Sequence, residues 1–127
     1  MGIKMIKISV CDDDEGQLTF FKQCFMEYNE KHEEKIEANF YQSVQSLLNE
    51  KKFSPDVYFL DIELQDGNGL KLAGRIRTRN PQIPIVFITS HEEFMPEAFQ
   101  VHAYQYLNEK KNAQAVENVL NQLADYF

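Results

Sequence analysis

Three short apolar runs constrain the fold more than any other feature of this chain. They are Ile6-Lys7-Ile8-Ser9-Val10-Cys11, Val57-Tyr58-Phe59-Leu60 and Ile85-Val86-Phe87-Ile88. Runs this short and apolar read as strands covered on both faces of a parallel sheet. Parallel neighbours need a long crossover, usually a helix. The runs end in polar residues: Asp12-Asp13 after the first, Asp61 after the second, Thr89-Ser90 after the third. In open sheets of this kind, ligands bind at the carboxyl ends of the strands.

The rest of the chain supplies the crossovers. The first strand spans Lys4 to Val10. A helix over Glu15 to Lys31 follows, with Leu18, Phe21, Phe25 and Tyr28 at helical spacing and Asp14 as its N-cap. Ile36 to Tyr41 is half polar and reads as an edge strand, and a short helix covers Ser43 to Lys51. Pro55-Asp56 breaks the chain before the third strand, Val57 to Leu60. Gln65-Asp66-Gly67-Asn68-Gly69 has turn chemistry, with Gly67 and Gly69 as turn glycines. The third helix then runs to Arg79, with Leu70, Ala73 and Ile76 facing inward, and ends at Asn80-Pro81. The fourth strand is Ile85 to Thr89. A fourth helix covers Glu93 to Val101 with Pro96 in its first turn. Ala103 to Leu107 is the fifth strand. The last helix, Asn112 to Phe127, turns Val116, Val119, Leu120, Leu123 and Phe127 inward. This alternation predicts an α/β, flavodoxin-like (βα)5 fold. Its five-stranded parallel sheet has order 2-1-3-4-5 with helices on both faces, and Asp12, Asp13 and Asp61 meet where the first and third strands diverge.

A length of 127 residues fits one domain with its own core. The net charge of −7 argues against direct nucleic-acid binding by this domain, which runs on clustered Lys and Arg. No apolar run approaches the roughly 20 residues of a membrane span, and the N-terminus lacks the blocks of a signal peptide. Cys11 and Cys24 make no disulfide framework and read as reduced, buried thiols. These features predict a cytoplasmic protein.

Clustered carboxylates repel one another, and a divalent cation relieves the repulsion. Mg²⁺ takes oxygen ligands and keeps several waters, so one or two carboxylates and a backbone carbonyl suffice to hold it. Beside such a cation a carboxylate can act as nucleophile toward phosphorus. No Gly-rich phosphate loop follows the first strand, which disfavours a nucleotide or flavin site.

Four segments together resemble a two-component response regulator receiver domain: Val10-Cys11-Asp12-Asp13-Asp14, Leu60-Asp61-Ile62-Glu63-Leu64, Phe87-Ile88-Thr89-Ser90 and Ala98 to Leu107. The last, reading Ala-Phe-Gln-Val-His-Ala-Tyr-Gln-Tyr-Leu, is similar to receivers of the LytTR class. The resemblance covers essentially the whole chain, so residues 1–127 are read as a single receiver domain. In that class a DNA-binding output domain normally follows, and none lies within these residues. The resemblance implies that Asp61 is the phosphoacceptor and works with Thr89 in catalysing its own phosphorylation and dephosphorylation, without turnover of a substrate. It implies a Mg²⁺ site at Asp12, Asp13, Asp61 and the Glu63 carbonyl, and a switch made of Thr89 and Tyr106. The implied partners are a sensor histidine kinase, an output domain, and a second copy meeting through helix four, strand five and helix five.

Two departures stand out. Leu64-Gln65 replaces the family's Met-Pro after the acceptor. Glu109-Lys110 replaces its Lys-Pro pair after strand five, so Glu109 holds the position of the phosphate-binding lysine, and Lys110 or Lys111 is the candidate stand-in for it. This leaves an alternative reading, a pseudo-receiver that binds partners with little phosphorylation-dependent switching. A third reading, a metal-dependent phosphatase of the haloacid dehalogenase type, wants a second Asp two residues after the nucleophile, where the chain has Glu63. His32, His91 and His102 show no ligand spacing and read as non-catalytic.

Overall fold

The computed structural model describes residues 4–108 and 112–127. Five strands form one parallel sheet: β1 (Met5–Cys11), β2 (Lys35–Tyr41), β3 (Val57–Asp61), β6 (Ile85–Thr89) and β7 (Gln105–Asn108). Their order is β2-β1-β3-β6-β7, with every neighbouring pair parallel, as the alternation of elements predicts. A two-stranded antiparallel hairpin, β4 (Glu63–Leu64) and β5 (Gly67–Asn68), lies beside it. The helices are α1 (Glu15–Lys31), α2 (Val44–Leu48), α3 (Gly69–Arg79), α4 (Met95–Gln100) and α5 (Ala113–Tyr126), with a 3-10 turn at Glu92–Phe94.

Strand alternation sorts the core into two layers. From β1, β3 and β6, the residues Ile6, Ile8, Val10, Val57, Phe59, Val86 and Ile88 pack on one side with Phe21, Phe25 and Tyr28 of α1 and Val116 and Leu120 of α5. The intervening residues Leu60, Ile85 and Phe87 pack on the other side with Leu72 and Ile76 of α3 and Ala98 of α4. Phe59 meets the edges of Phe21 and Phe25, with ring centroids 5.7 and 5.8 Å away. Such edge contacts add about 0.5–1.5 kcal/mol each beyond area burial.

The element ends follow local chemistry. Asp14 caps α1 by accepting from the Gly16 N–H at 2.8 Å. Ser43 and Ser46 form a capping box on α2. Asp56 closes the entry to β3 through two bonds: its Oδ2 accepts from the Lys7 N–H at 2.9 Å, and its own N–H donates to the Lys7 carbonyl at 2.7 Å.

Several details differ from the sequence reading. The second helix is shorter than Ser43 to Lys51, because Glu50 turns its carboxylate onto the Lys52 and Phe53 N–H groups and holds a turn there. The fifth strand begins at Gln105 rather than Ala103. His102 has φ 58°, and this left-handed residue bends the chain before it can pair. In α3 it is Leu72, with Ala73 and Ile76, that is buried, while Leu70 is half-exposed. Phe127 lies past the end of α5 and is exposed, stacked edge-on against Tyr126. Among the described residues no helix is long and apolar enough to cross a membrane.

Candidate functional site

Strand register builds the site. Cys11 pairs with Leu60, so Asp12 and Asp61 are the next residues on adjacent strands. Asp61 in turn pairs with Ile88, which places Thr89 one residue further along β6. Asp12 and Asp61 are almost fully buried and Asp13 is half-buried. One carboxylate oxygen from each of the three falls within 4.8 Å of the others.

Backbone donors hold this cluster in shape. Asp12 Oδ1 accepts from the Asp14 N–H at 2.9 Å, and Asp13 Oδ2 accepts from the Gln65 N–H at 2.9 Å. Asp61 Oδ1 accepts from the Glu63 N–H at 3.2 Å. The loop after Asp61 is pinned as well. The Gly69 N–H donates to the Ile62 carbonyl at 2.8 Å. A Cβ at Gly69 would stand 2.1 Å from the Asp61 carbonyl oxygen. Gly69 thus serves a close approach, not the turn conformation expected for it, because no described glycine has positive φ.

The field of the acids is legible in a neighbour. The Cys11 thiol is pushed up to about 12, first by burial and then by Asp66, Asp12, Asp61 and Asp13. Oxygen-only donors, tight spacing and accumulated negative charge fit a small hard cation such as Mg²⁺. Glu63 is exposed, and its carboxylate lies 3.2 Å from His91 Nε2.

Thr89 is buried, and its Oγ1 accepts from the His91 N–H at 3.1 Å. The Tyr106 hydroxyl donates to the His91 carbonyl at 2.5 Å. Burial, then Glu93 and Glu92, push the Tyr106 phenol up, while the Thr89 hydroxyl opposes them. His91 therefore joins Thr89 to Tyr106 through its backbone. Its ring stands between Glu63 and Glu93, the latter 3.1 Å from Nδ1. Sequence reasoning set His91 aside because it looked for ligand spacing. Its position two residues past the strand-end hydroxyl was the available signal. Glu109 and Lys110 lie outside the described residues.

The model of the response regulator receiver domain matches residues 8–121. The chain belongs to this family. An uncharacterized response regulatory protein of Yersinia pestis is 30% identical to the receiver over 122 residues, 94% of this chain and 49% of that protein. The accessory gene regulator protein A of Staphylococcus epidermidis is 34% identical over 108 residues, covering 80% of this chain and 45% of that one. The transcriptional regulatory protein LytR of Staphylococcus aureus is 29% identical over 68 residues, covering 54% and 28%. The receiver therefore spans about half the length, or less, of these relatives, which include regulators of the LytTR class. In fold it is similar to the CheY-like receiver of Methanospirillum hungatei, with TM-score 0.82 at 17% identity over 97% of this chain and 96% of that one. The BeF3-activated receiver domain of DrrB superposes with TM-score 0.74 at 20% identity over 95% and 98%. Receiver domains are signalling modules that pair with histidine kinases and output domains, and typically bind Mg²⁺ at an acidic cluster of this kind.

Proposed function

We propose that this receiver takes a phosphoryl group from a sensor histidine kinase onto Asp61 and uses it to switch an output surface. The observation that carries this reading is the convergence of Asp12, Asp13 and Asp61 within 4.8 Å at the ends of adjacent strands. An Asp61 oxygen attacks phosphorus, the bond from phosphorus to the kinase imidazole nitrogen breaks, and that nitrogen keeps the electron pair. Mg²⁺, when bound, neutralises charge on the transferring group. Asp12, Asp13, Asp61 and the Glu63 carbonyl are the residues that would hold it.

Thr89 would then turn its hydroxyl to donate to a phosphoryl oxygen. That movement gives up the bond it accepts from His91, the same residue whose carbonyl receives Tyr106. Releasing one bond loosens the other, and Tyr106 follows inward. The population shifts only by the difference in interaction energy between the two states. The surface that changes is formed by α4, β7 and α5, where we place contact with a second copy or with a DNA-binding output domain. This relay acts in the cytoplasm and turns over no substrate other than its own phosphoryl group.

Intact-mass measurement after acetyl phosphate and Mg²⁺ should show one added phosphoryl group on the wild type and none on Asp61→Ala. A group that persists on Asp61→Ala overturns the assignment.

Glu109 favours a second reading, the pseudo-receiver. Position 109 carries a carboxylate where the family has an ammonium that binds the phosphoryl group. Like charges about 4 Å apart repel by roughly 4 kcal/mol at an effective dielectric near 20. Lys110, on a long flexible stem, is the candidate replacement. Glu109→Lys should tighten beryllofluoride binding, and Lys110→Ala should weaken it, both followed by titration. Unchanged affinity in both variants would show that the departure at Glu109 has no effect on phosphoryl binding.

A further inference from the structure

The acidic chain has one strongly basic stretch. Residues 67–91 contain Lys71, Arg75, Arg77 and Arg79, four of the 13 Lys and Arg, and no Asp or Glu. Arg77 is consumed by the fold: it donates to the Val101 and His102 carbonyls at 2.9 Å each and to the Ile83 carbonyl. Arg75 and Arg79 are exposed, and neither side chain makes a hydrogen bond or ion pair among the described residues.

Both arginines line a groove of about 560 Å³ between α3 and the connection from α2 to β3. Lys51, from that connection, also lines it, as do Phe53, Ile76 and Tyr58. Glu50, the one acid there, is already committed to the Lys52 and Phe53 N–H groups and the Tyr41 hydroxyl. The Tyr58 phenol is pushed up by burial first and then by Tyr41, while the positive charge of Arg79 opposes that shift. Among the described residues the Tyr58 hydroxyl takes no hydrogen-bond partner. The groove adjoins Tyr58 and Pro55, at the entry of β3, while Asp61 is at its exit. It is therefore separate from the acidic site.

The geometry points to a docking site for an acidic segment of a partner protein that carries apolar side chains between its carboxylates. A free phosphate needs donors converging on one point. Here Arg75 and Arg79 are one helical turn apart, about 5–6 Å at Cβ, and Lys51 lines the same groove from another segment, among both polar and apolar side chains. Cations spread along a groove that is also lined by Phe53 and Ile76 match a chain with spaced carboxylates and apolar side chains between them. Complementary potential in an otherwise acidic molecule gives such a site its selectivity.

The test uses the whole chain and a fluorescently labelled peptide of alternating glutamate and leucine. It should bind at low salt, weaken as salt screens the contacts, and shift the NMR signals of the Tyr58 ring and α3. Arg75→Glu with Arg79→Glu should weaken it by roughly tenfold or more, with an unchanged circular dichroism spectrum. Lys22→Glu with Lys31→Glu alters net charge equally at a distant face and should have a far smaller effect. The proposal is overturned if the two pairs weaken binding equally, or if the wild-type shifts map elsewhere. It is also overturned if inorganic phosphate or oligothymidylate displaces the peptide at comparable concentration, which would mark an anion or nucleic-acid site instead.

Discussion

Gly69 shows how much one missing methyl can matter. The Asp61 carbonyl oxygen lies 2.1 Å from where a Gly69 Cβ would sit, and the nearest atoms, from Asp61 and Ile62, are all backbone, so nothing flexible can yield. Gly69→Ala should therefore displace the Asp61 loop and cost about 1–3 kcal/mol, as overpacking typically does. Urea denaturation measures the cost. A loss under a few tenths would mean that the loop adapts. The same substitution should slow acetyl-phosphate labelling of Asp61, because the Glu63 N–H that steadies its carboxylate moves with the loop. His91 is the other residue whose importance lies in contacts and not in type. Its N–H, carbonyl and ring engage Thr89, Tyr106, Glu63 and Glu93.

At the scale of elements, the β4–β5 hairpin is the least anticipated piece of the fold. It brings Leu64 into the core and presents Asp66 to the start of α2. There the Asp66 carboxylate accepts from the Val44 and Gln45 N–H groups at 2.9 and 3.1 Å. Anions are favoured at exposed N–H groups of a helix start. Those two bonds hold Asp66 below its ordinary value of 3.8. A carboxyl with a depressed folded value binds protons less readily folded than unfolded. Its stabilisation is thus fully present above about 3.8, and is lost as pH falls through the lower folded value. Asp66→Asn should flatten the acid limb of stability in that window, read by thermal melts from pH 2 to 6 (roughly the carboxyl range). An unchanged acid limb would show that the tie between hairpin and α2 carries no charge dependence.

For the molecule as a whole, the sheet is one plate with two cores, and the site lies at the carboxyl ends of its strands. Phe59 joins strand to helix on the α1 and α5 side through edge contacts with Phe21 and Phe25. Two residues later the same strand delivers Asp61. Phe59→Ala should cost about 3–5 kcal/mol, as measured by denaturant unfolding. At temperatures where the variant stays folded, it should still accept one phosphoryl group, since strand register is set by the backbone ladder. Loss of labelling in a folded Phe59→Ala protein would show that core packing also sets the site.

The order of elements, the parallel sheet, its edge strand β2 and the meeting of Asp12, Asp13 and Asp61 were all legible in the sequence. Apolar runs and helical stripes are local patterns, and right-handed crossovers leave few ways to assemble them. The strand-end acids carried their chemistry with them, because each directly follows a run whose direction in the sheet is forced. Contacts between distant segments were decided only in three dimensions. Gly69 against the Asp61 carbonyl, Asp66 on the start of α2, and His91 between Thr89 and Tyr106 depend on loop paths that no local period encodes. Phe127 failed to join the inward stripe for the related reason that a helical period marks a face only while the helix lasts. The helix ends at Tyr126, and the ring beyond it turns outward.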